Sequence, residues 1–318
     1  MRMALATSNN RLVQGWDPDG GRARVFSGHE SFAFRYGWLP KLYEAVEDDP
    51  ELFTSDERAI LALGLGRNMV KSIRFWGEVL GLLRVERGGA TNTRLARALL
   101  DPITGLDPYL ENAGSLWRLH WRVAAHAGLG AWTVAFLEVV DPEITRDRLV
   151  ELVRARAATA RSTITAGTAG AHVDIMLRTY DAGRAGDGAG VVEDSLGCLF
   201  QEIQLLYIAN PNGRPTVRFA RGPKPDLDVR AFAYTIHDFW TGTAPSSRTI
   251  SLRSLMLERR APGPIFRLDE SSLHEHLEAL CAAVHGFELR EDGAGGLDLV
   301  VASLVDIDRL EELAWPTR

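Results

Sequence analysis

The sequence predicts a mainly α-helical fold, built from tandem winged-helix-like units around a tryptophan-rich helical centre. The first observation behind this prediction is the stretch from Leu63 to Val85, where a short glycine turn leads into a helix with two different faces. The second is that an apolar helix runs into a glycine-turn hairpin three times, at intervals of roughly a hundred residues. The third is an apolar region, 116–140, that contains Trp117 and Trp121.

The composition is that of an ordinary globular protein with room for several domains. The chain has 318 residues, of which 46% are hydrophobic and 25% are charged. Its net charge of -6 argues against a protein that coats nucleic acid non-specifically, but a local basic face remains compatible with it. Cys198 and Cys281 show no metal-binding spacing, and the sequence starts without the apolar stretch of a signal peptide. A cytoplasmic location is therefore expected.

We expect the chain to be organised in four segments. These are a flexible tail (1–25), an N-terminal helical domain with a winged-helix-like unit (26–126), a middle helical domain with a β-hairpin (127–245) and a C-terminal winged-helix-like domain (246–318). Charged and histidine residues interrupt the apolar region 116–140, which therefore predicts a pair of core helices and not a membrane span. Trp117 and Trp121 are four residues apart on one helix face and are expected in the core.

In the first unit, the helix after the glycine turn has a buried side and a basic side. Four residues at helical spacing predict the buried side: Val70, Ile73, Gly77 and Leu80. A second stripe, in which only Glu78 is acidic, carries Arg67, Asn68, Lys71 and Arg74. RVERGGATNTRL then predicts a two-stranded hairpin with a Gly88-Gly89 turn. A helix of this kind fits the major groove of DNA.

The later units follow the same pattern. VVEDSLGCLFQEIQLL predicts an apolar helix, and LLYIANPNGRPTVRFARG predicts two strands around an Asn-Pro-Asn-Gly turn. This second hairpin carries Arg214, Arg218, Arg221 and Lys224. DESSLHEHLEALCAAVHGF predicts an amphipathic helix capped by Asp269 or Ser271, and FELREDGAGGLDLVVAS predicts the third hairpin.

Several motifs resemble those of one bacterial family. They are FSGHESFAFRYGWLPKLYEA (26–45), LGRNMVKSIRFW (65–76), GLDPYLE (105–111) and LWRLHW (116–121), with weaker matches at DIMLRTY, VEDSL and PGPIFRL. The family has long been labelled a domain of unknown function, and the SspB component of DNA phosphorothioation systems belongs to it. The resemblance spans about residues 26–303. Where the family usually reads GVGKNMV, this chain has Leu65 and Arg67, and arginine keeps the positive charge.

The resemblance implies a protein that nicks DNA so that partner proteins can place sulfur in one strand of the backbone. The implied partners are a cysteine desulfurase, an ATPase and a sulfur-transfer enzyme similar to adenylyl-sulfate reductases. No catalytic residue set is carried over from the family. The implied substrate is double-stranded DNA.

Nicking a phosphodiester takes either carboxylates that hold divalent ions or a nucleophilic side chain with acid–base help. The candidate catalytic residues are His29, Glu30, Asp174 and Asp194, with His172 and Glu193 beside the last two. Each has an alternative structural interpretation, as a helix cap, a buried hydrogen-bonded histidine or a salt-bridge partner. Tyr109, between Asp107 and Glu111, is a candidate nucleophile or a packed turn residue.

A divalent metal, Mg²⁺ or Mn²⁺, is the expected cofactor. His274 and His276 are two apart on a predicted helix, so they are expected to point apart on a solvated face and not to share an ion. The sequence has neither a PD-D/E-x-K nuclease signature nor a GxxxxGK[ST] phosphate loop, so no nucleotide cofactor is expected.

The candidate DNA-binding residues are Arg35, Lys41, Arg67, Asn68, Lys71, Arg74, Arg214 and Arg218. The alternative for the basic helix face is a solvated surface or a surface that docks a partner protein. The leading hypothesis is a DNA-binding component of a phosphorothioation defence system that nicks DNA with a divalent metal. Two others stay open: a non-catalytic adaptor that recruits the ATPase and sulfur-transfer partners, and a winged-helix transcriptional regulator.

Overall fold

The computed structural model describes residues 25–160, 162–181, 197–293 and 295–315. Within these ranges the fold is mainly helical, with three small antiparallel sheets, as the sequence predicts for the fold class. The first part consists of α1 (Trp38–Asp48), α2 (Asp56–Leu63), α3 (Arg67–Val79), β1 (Leu83–Glu86), β2 (Gly89–Asn92) and α4 (Arg94–Leu100).

Local sequence signals explain the boundaries of α2 and α3. The Ser55 side chain caps α2 by accepting a hydrogen bond from the Arg58 backbone N–H, and two acidic residues occupy the first turn. Gly64 ends α2 in a left-handed conformation (φ 60°) that glycine adopts without strain. The predicted inner face of α3 is confirmed, because the four residues that define it are buried. The hairpin turn lies at Arg87-Gly88, one residue before the predicted position, since Glu86 pairs with Gly89.

The tryptophan-rich centre is a helix pair, as predicted. It consists of α5 (Ala113–Ala125) and α6 (Gly130–Leu137). Trp117 and Trp121 are buried in the core, as expected. Polar side chains interrupt this region without reaching solvent. One of them is His120, whose ring nitrogens bind the Tyr180 hydroxyl at 2.7 Å and the Ile265 carbonyl at 3.0 Å. These partners satisfy both nitrogens in the core.

The middle part comprises β3 (Glu143–Thr145), α7 (Arg146–Thr159), α8 (Ala166–Tyr180), β4 (Leu206–Ala209) and β5 (Thr216–Phe219), with the strand order β3-β5-β4. The predicted apolar helix before β4 is not formed in the described residues. Only a short 3-10 turn, Leu199–Gln201, is present, and the segment before Gly197 lies outside the described ranges. Positive φ angles at Gly197 (98°) and Gln204 (46°) explain the difference, because a helix cannot continue through them.

Helix α9 (Val229–Thr243) ends the middle part. The last part comprises β6 (Thr249–Ser251), α10 (Leu252–Leu257), α11 (Pro262–Phe266), α12 (Glu270–Ala283), β7 (Phe287–Glu291), β8 (Leu297–Val301) and α13 (Asp308–Ala314). Asp269 caps α12 by accepting from the Ser272 backbone N–H, one of the two caps expected from the sequence. The strand order is β6-β8-β7, so β6, which precedes the helices, pairs with the second strand of the hairpin, as β3 does in the middle part.

Buried residues from all three parts form one continuous hydrophobic core. Two buried charged side chains connect the parts through this core. Arg267, after α11, donates to the Val139 carbonyl at 2.8 Å and also to the Ala135 carbonyl, and its guanidinium lies over the Phe219 ring. Asp238 on α9 accepts hydrogen bonds from Trp121 and His126 at the end of α5. None of the described helices is long and apolar enough to cross a membrane.

Candidate functional site: a histidine wedge beside a basic helix

Residues 25–36, here called the wedge, lie between α3 and α8. The wedge is anchored at one end by a parallel bridge between Val25 and Leu129, and at the other by a hydrogen bond from the Tyr36 N–H to the Gly197 carbonyl (2.7 Å). Two side chains of α3 hold its middle: Ser72 donates to the His29 carbonyl (2.9 Å), and the Trp76 indole donates to the Phe32 carbonyl (3.0 Å).

Glycine is needed where the wedge approaches α3 most closely. Gly28 has φ 114°, and a Cβ there would lie 2.7 Å from the Phe75 ring. Residues with a side chain rarely adopt this conformation, so both the backbone angle and the space select glycine. The unusual FSGHES motif thus has a structural reason: the chain must turn sharply against α3 to place His29 on α8.

His29 and His172 form a buried pair that joins the wedge to α8. The two rings are nearly coplanar, and His29 Nε2 lies 3.0 Å from His172 Nδ1. The backbone N–H of Ser31 donates to His29 Nδ1 (3.2 Å), which assigns the hydrogen to Nε2 and makes Nε2 the donor to His172. His172 Nε2 then carries a hydrogen that finds no hydrogen-bond partner among the described residues. Both nitrogens of His29 are therefore engaged by the protein.

Burial keeps both histidines neutral. It lowers the pKa of His29 to about 4, with a smaller contribution from the positive charge of Arg178. Burial also lowers the pKa of His172 to about 3, and the neighbouring His29 contributes in the same direction. His120 behaves similarly, because burial lowers its pKa to about 3. Neutral imidazoles at neutral pH maintain the hydrogen bond between the wedge and α8.

These low pKa values predict a loss of stability in mild acid. Between about pH 6.5 and about pH 4 the unfolded chain binds more protons than the folded chain, so stability is complete above this range and falls as the pH decreases through it. Each of these neutral histidines should lower the free energy of unfolding by about 2 kcal/mol when the pH is reduced from 7 to 5. Urea unfolding at the two pH values measures it. His172→Asn, whose Oδ1 takes the place of Nδ1, should lose about 2 kcal/mol less than the original chain.

The control for this experiment is His274→Gln, because the His274 side chain lies on α12 with 44% of its surface exposed, away from the buried pair. This variant should show the same pH dependence as the original chain. Identical losses for the His172→Asn variant and the original chain would mean that the buried pair does not titrate as its burial implies.

The structure brings His29 and His172 into contact. The other described catalytic candidates, Glu30 and Asp174, lie in different environments. Glu30 is exposed at a backbone position with φ 47°. Asp174 accepts two hydrogen bonds from the Arg146 guanidinium, at 2.7 and 2.8 Å. This is the salt-bridge alternative considered for it from sequence. Glu193 and Asp194 lie outside the described residues.

The DPYLE turn and the α12 histidines also have structural partners. Asp107 accepts hydrogen bonds from the backbone N–H groups of Glu111 and Asn112, so it shapes the turn, while Tyr109 is exposed. His276 stacks on Phe232 at 5.2 Å and is not on a solvated face, contrary to expectation. Within the described ranges, no group of three or more His, Cys, Asp or Glu side chains is arranged to hold a metal ion. The residues described here therefore do not fit a preformed protein cage for Mg²⁺.

The predicted basic residues of α3 lie on its solvent side. Arg67 is 3.3 Å from Asp56 and Arg74 is 3.3 Å from Glu78, both in exposed pairs that hold the side chains only weakly. Lys71 and Asn68 are exposed between them. The stripe is thus presented to solvent with its cations accessible to a polyanion.

The remaining candidate cations are distributed over three elements. Lys41 is exposed on α1, and Arg35 lies about 6.0 Å from the ring centroids of Phe32 and Trp38. On the second hairpin Arg214 is exposed and Arg218 pairs with Glu143 at 3.0 Å. Lys224, grouped with them in the sequence, is instead buried and donates to the carbonyls of Ala220 and Gly222. Burial lowers its pKa to about 8, and it is not available to a phosphate.

Arg178 on α8 was not among the sequence candidates. Its charge acts on His29, and together with Arg35 it also acts on the buried Cys198 thiol, whose pKa burial raises to about 11. The wedge and α8 therefore each bring one arginine to the same region. The sequence could have identified Arg178 by its spacing, because it follows Asp174 by one helical turn and therefore lies on the same side of α8.

A family model described as "Protein of unknown function (DUF4007)" matches residues 26–313. Two solved structures are similar over 92% of this chain and 88% of their own, each at 30% sequence identity. One, described as an SspB crystal structure, has a TM-score of 0.80, and the other, described as magnesium ion-bound SspB, has a TM-score of 0.78. No curated protein matches the chain.

Proposed function

Because the chain belongs to the DUF4007 family and resembles SspB in sequence and fold, we propose that it is a DNA-binding component of a bacterial DNA phosphorothioation system. The observation that carries the proposal is the basic stripe of Arg67, Lys71 and Arg74 on the solvent side of α3. A glycine turn precedes this helix and a two-stranded hairpin follows it. Duplex DNA presents phosphates along both edges of a groove that accepts such a helix.

We propose that the three parts of the chain are winged-helix-like units, with boundaries near residues 126 and 245. The element order supports this, because in each part helices are followed by an antiparallel hairpin. In the middle and last parts a short strand before the helices joins the hairpin as a third strand. In this scheme α3, α8 and α12 occupy equivalent positions. Of these three helices only α3 carries a basic stripe, since α8 has one acidic and one basic residue, Asp174 and Arg178, and α12 has three glutamates and no lysine or arginine.

The wedge holds α3, the proposed DNA-binding helix, in a defined position relative to α8. It contacts α3 through Ser72 and Trp76 and α8 through His172, so it fixes the relation between the two helices. Arg178 and Arg35 extend positive charge beyond α3. We propose that His29 is a positioning residue for the DNA-binding surface, since both of its ring nitrogens are already bound within the protein.

We further propose that the protein nicks DNA with a divalent metal and acts with sulfur-transfer partners. The support is the family resemblance and the solved structure of magnesium-bound SspB. Mg²⁺ is often held by one or two carboxylates together with substrate phosphates, which does not require a preformed cage. The described residues do not by themselves assemble a group that could hold a metal ion.

A non-catalytic adaptor is the second candidate, and one observation favours it. Two of the three described catalytic candidates are engaged: His29 through two ring hydrogen bonds and Asp174 through a bidentate pair with Arg146. Neither is placed to accept a proton or to bind a metal without first losing a partner. Such a protein would hold DNA for the partners that modify it.

The proposed nicking activity is tested on supercoiled plasmid with Mg²⁺ or Mn²⁺, with and without chelator. We expect open circles that chelator abolishes. Glu30→Gln or Asp174→Asn should lower the rate at least about tenfold if the carboxylate takes part in the chemistry. Asp226→Asn, in an exposed loop, is the matched control and should nick like the original chain. Intact DNA binding without nicking, also with the partner proteins present, would contradict the enzyme and support the adaptor.

A further inference from the structure

An apolar groove lies between the middle and last parts of the fold, away from α3. Its walls come from the segment after α6, from β5 and from the α10–α11 region, and it encloses about 190 Å³. Its apolar lining includes Val140 and Pro142 after α6, Phe219 of β5, and Met256 and Leu257 of α10. Neither the fold nor the proposed DNA contact accounts for this surface.

Two large apolar side chains at the groove are exposed to an unusual degree. Val140 is 83% exposed and Leu257 is 66% exposed, although most apolar residues around them are buried. Single exposed apolar residues are common, but two of them at one apolar groove form a patch that water solvates poorly. Covering such a patch is favourable in proportion to the apolar area removed from water. The groove therefore has the properties of a binding surface for an apolar group.

The charges at the groove are all positive among the described residues that line it. They are Arg221, Arg259 and Arg267. Arg267 is buried and its donors serve backbone carbonyls, while Arg259 pairs with Glu138 at 3.0 Å, a carboxylate that Arg156 shares. Arg221 is exposed. It interacts electrostatically with the Asp269 carboxylate but forms no close ion pair with a described residue. Burial lowers the pKa of Arg267 to about 10, and the positive charge of Arg221 contributes in the same direction.

The combination of exposed apolar side chains with positive charge favours a protein segment over DNA as the molecule that binds in the groove. A phosphate backbone would gain from Arg221 but would leave Val140, Leu257 and Phe219 against a charged, hydrated surface. A peptide with an apolar side chain next to a carboxylate satisfies both features, because the side chain fills the groove and the carboxylate meets Arg221. We propose that the groove binds a segment of a partner protein in which an apolar side chain is flanked by aspartate or glutamate.

The probe for this proposal is a random peptide library displayed on phage, selected on the full-length protein and counter-selected on a Val140→Asp/Leu257→Asp variant. Both positions are exposed, so the variant should fold. We expect the enriched peptides to share an apolar residue flanked by acidic residues. A synthetic peptide of that sequence should bind at least about tenfold more weakly to the Val140→Asp/Leu257→Asp and Arg221→Glu variants, by fluorescence anisotropy.

Leu61→Asp is the matched control, because Leu61 on α2 is also 83% exposed but lies outside the groove. It should bind the peptide like the original chain. Selection of peptides that are basic or that lack an apolar residue would overturn the proposal. It would also be overturned if no selected peptide bound the original chain more tightly than the Val140→Asp/Leu257→Asp variant. Displacement of the peptide by duplex DNA in the Lys71→Glu/Arg74→Glu variant would also overturn it, because the groove would then be a nucleic-acid site. This inference does not rest on the proposed nicking or DNA binding through α3.

Discussion

Replacing Lys71 and Arg74 together with glutamate should weaken the binding of duplex DNA by about 100-fold or more at low salt. Both side chains lie on the solvent side of α3, where a phosphate backbone would contact them if this helix enters or follows a groove. Each replacement removes one attractive charge and adds one repulsive charge. The dependence of affinity on salt should also become shallower, since fewer counterions are released on binding.

Fluorescence anisotropy with a short duplex at several salt concentrations measures both effects. Glu78→Lys is the matched control on the same stripe: it removes the only acidic residue there and should strengthen binding. Circular dichroism should show that all variants fold, because Lys71 is exposed and Arg74 is 41% exposed. If the double variant binds DNA like the original chain, α3 is not the DNA-binding helix. A large affinity difference between one specific sequence and random DNA would instead favour a transcriptional regulator.

Replacing Asp238 with alanine should lower the free energy of unfolding by about 3–5 kcal/mol, the range for a buried charge that loses its partner. Asp238 lies in the core on α9 and accepts from the Trp121 indole at 2.8 Å and from His126 Nε2 at 2.6 Å. Burial opposes its ionisation, but the charges of His126 and Arg122 and the hydrogen bonds outweigh burial and lower its pKa to about 2. Alanine would leave two buried donors and the Arg122 charge without this acceptor.

Urea unfolding at neutral pH gives the change directly. Asp226→Ala is the control, because Asp226 is exposed and its loss should change stability by less than about 0.5 kcal/mol. The stability of the Asp238→Asn variant should lie between those of the Asp238→Ala and Asp226→Ala variants, since the asparagine amide oxygen still accepts one hydrogen bond without carrying charge. Equal stability of the Asp238→Ala and Asp226→Ala variants would mean that the connection between α5 and α9 contributes little.

Features set by short-range patterns were predictable from the sequence. The spacing of Val70, Ile73 and Leu80 was sufficient to find the buried side of α3, because helical periodicity is a local property. The same holds for the hairpin after α3, whose turn was misplaced by one residue because either pair of residues in the Arg87-Gly88-Gly89 stretch can occupy a tight turn. Family resemblance, carried by several separated motifs, was confirmed.

Contacts between distant residues could not be predicted in this way. His29 and His172 are 143 positions apart, and no periodicity relates them. The burial of Lys224 depends on carbonyls that a local turn presents to it, and a basic hairpin sequence gives no sign of that geometry. Within the described residues, a short 3-10 turn stands where a helix before β4 was expected, because Gly197 and Gln204 adopt positive φ angles that residue types alone do not reveal.

The position of the wedge has a consequence for how the chain folds during synthesis. The wedge is translated before α3, yet its anchors at Leu129, His172 and Gly197 are translated much later. Until those residues have left the ribosome, Ser72, Phe75 and Trp76 of α3 lack the segment that covers them. Contacts between residues so distant in sequence form slowly. The apolar residues of the N-terminal helices therefore stay partly uncovered until the middle of the protein has been made, and apolar surface exposed in this way promotes aggregation.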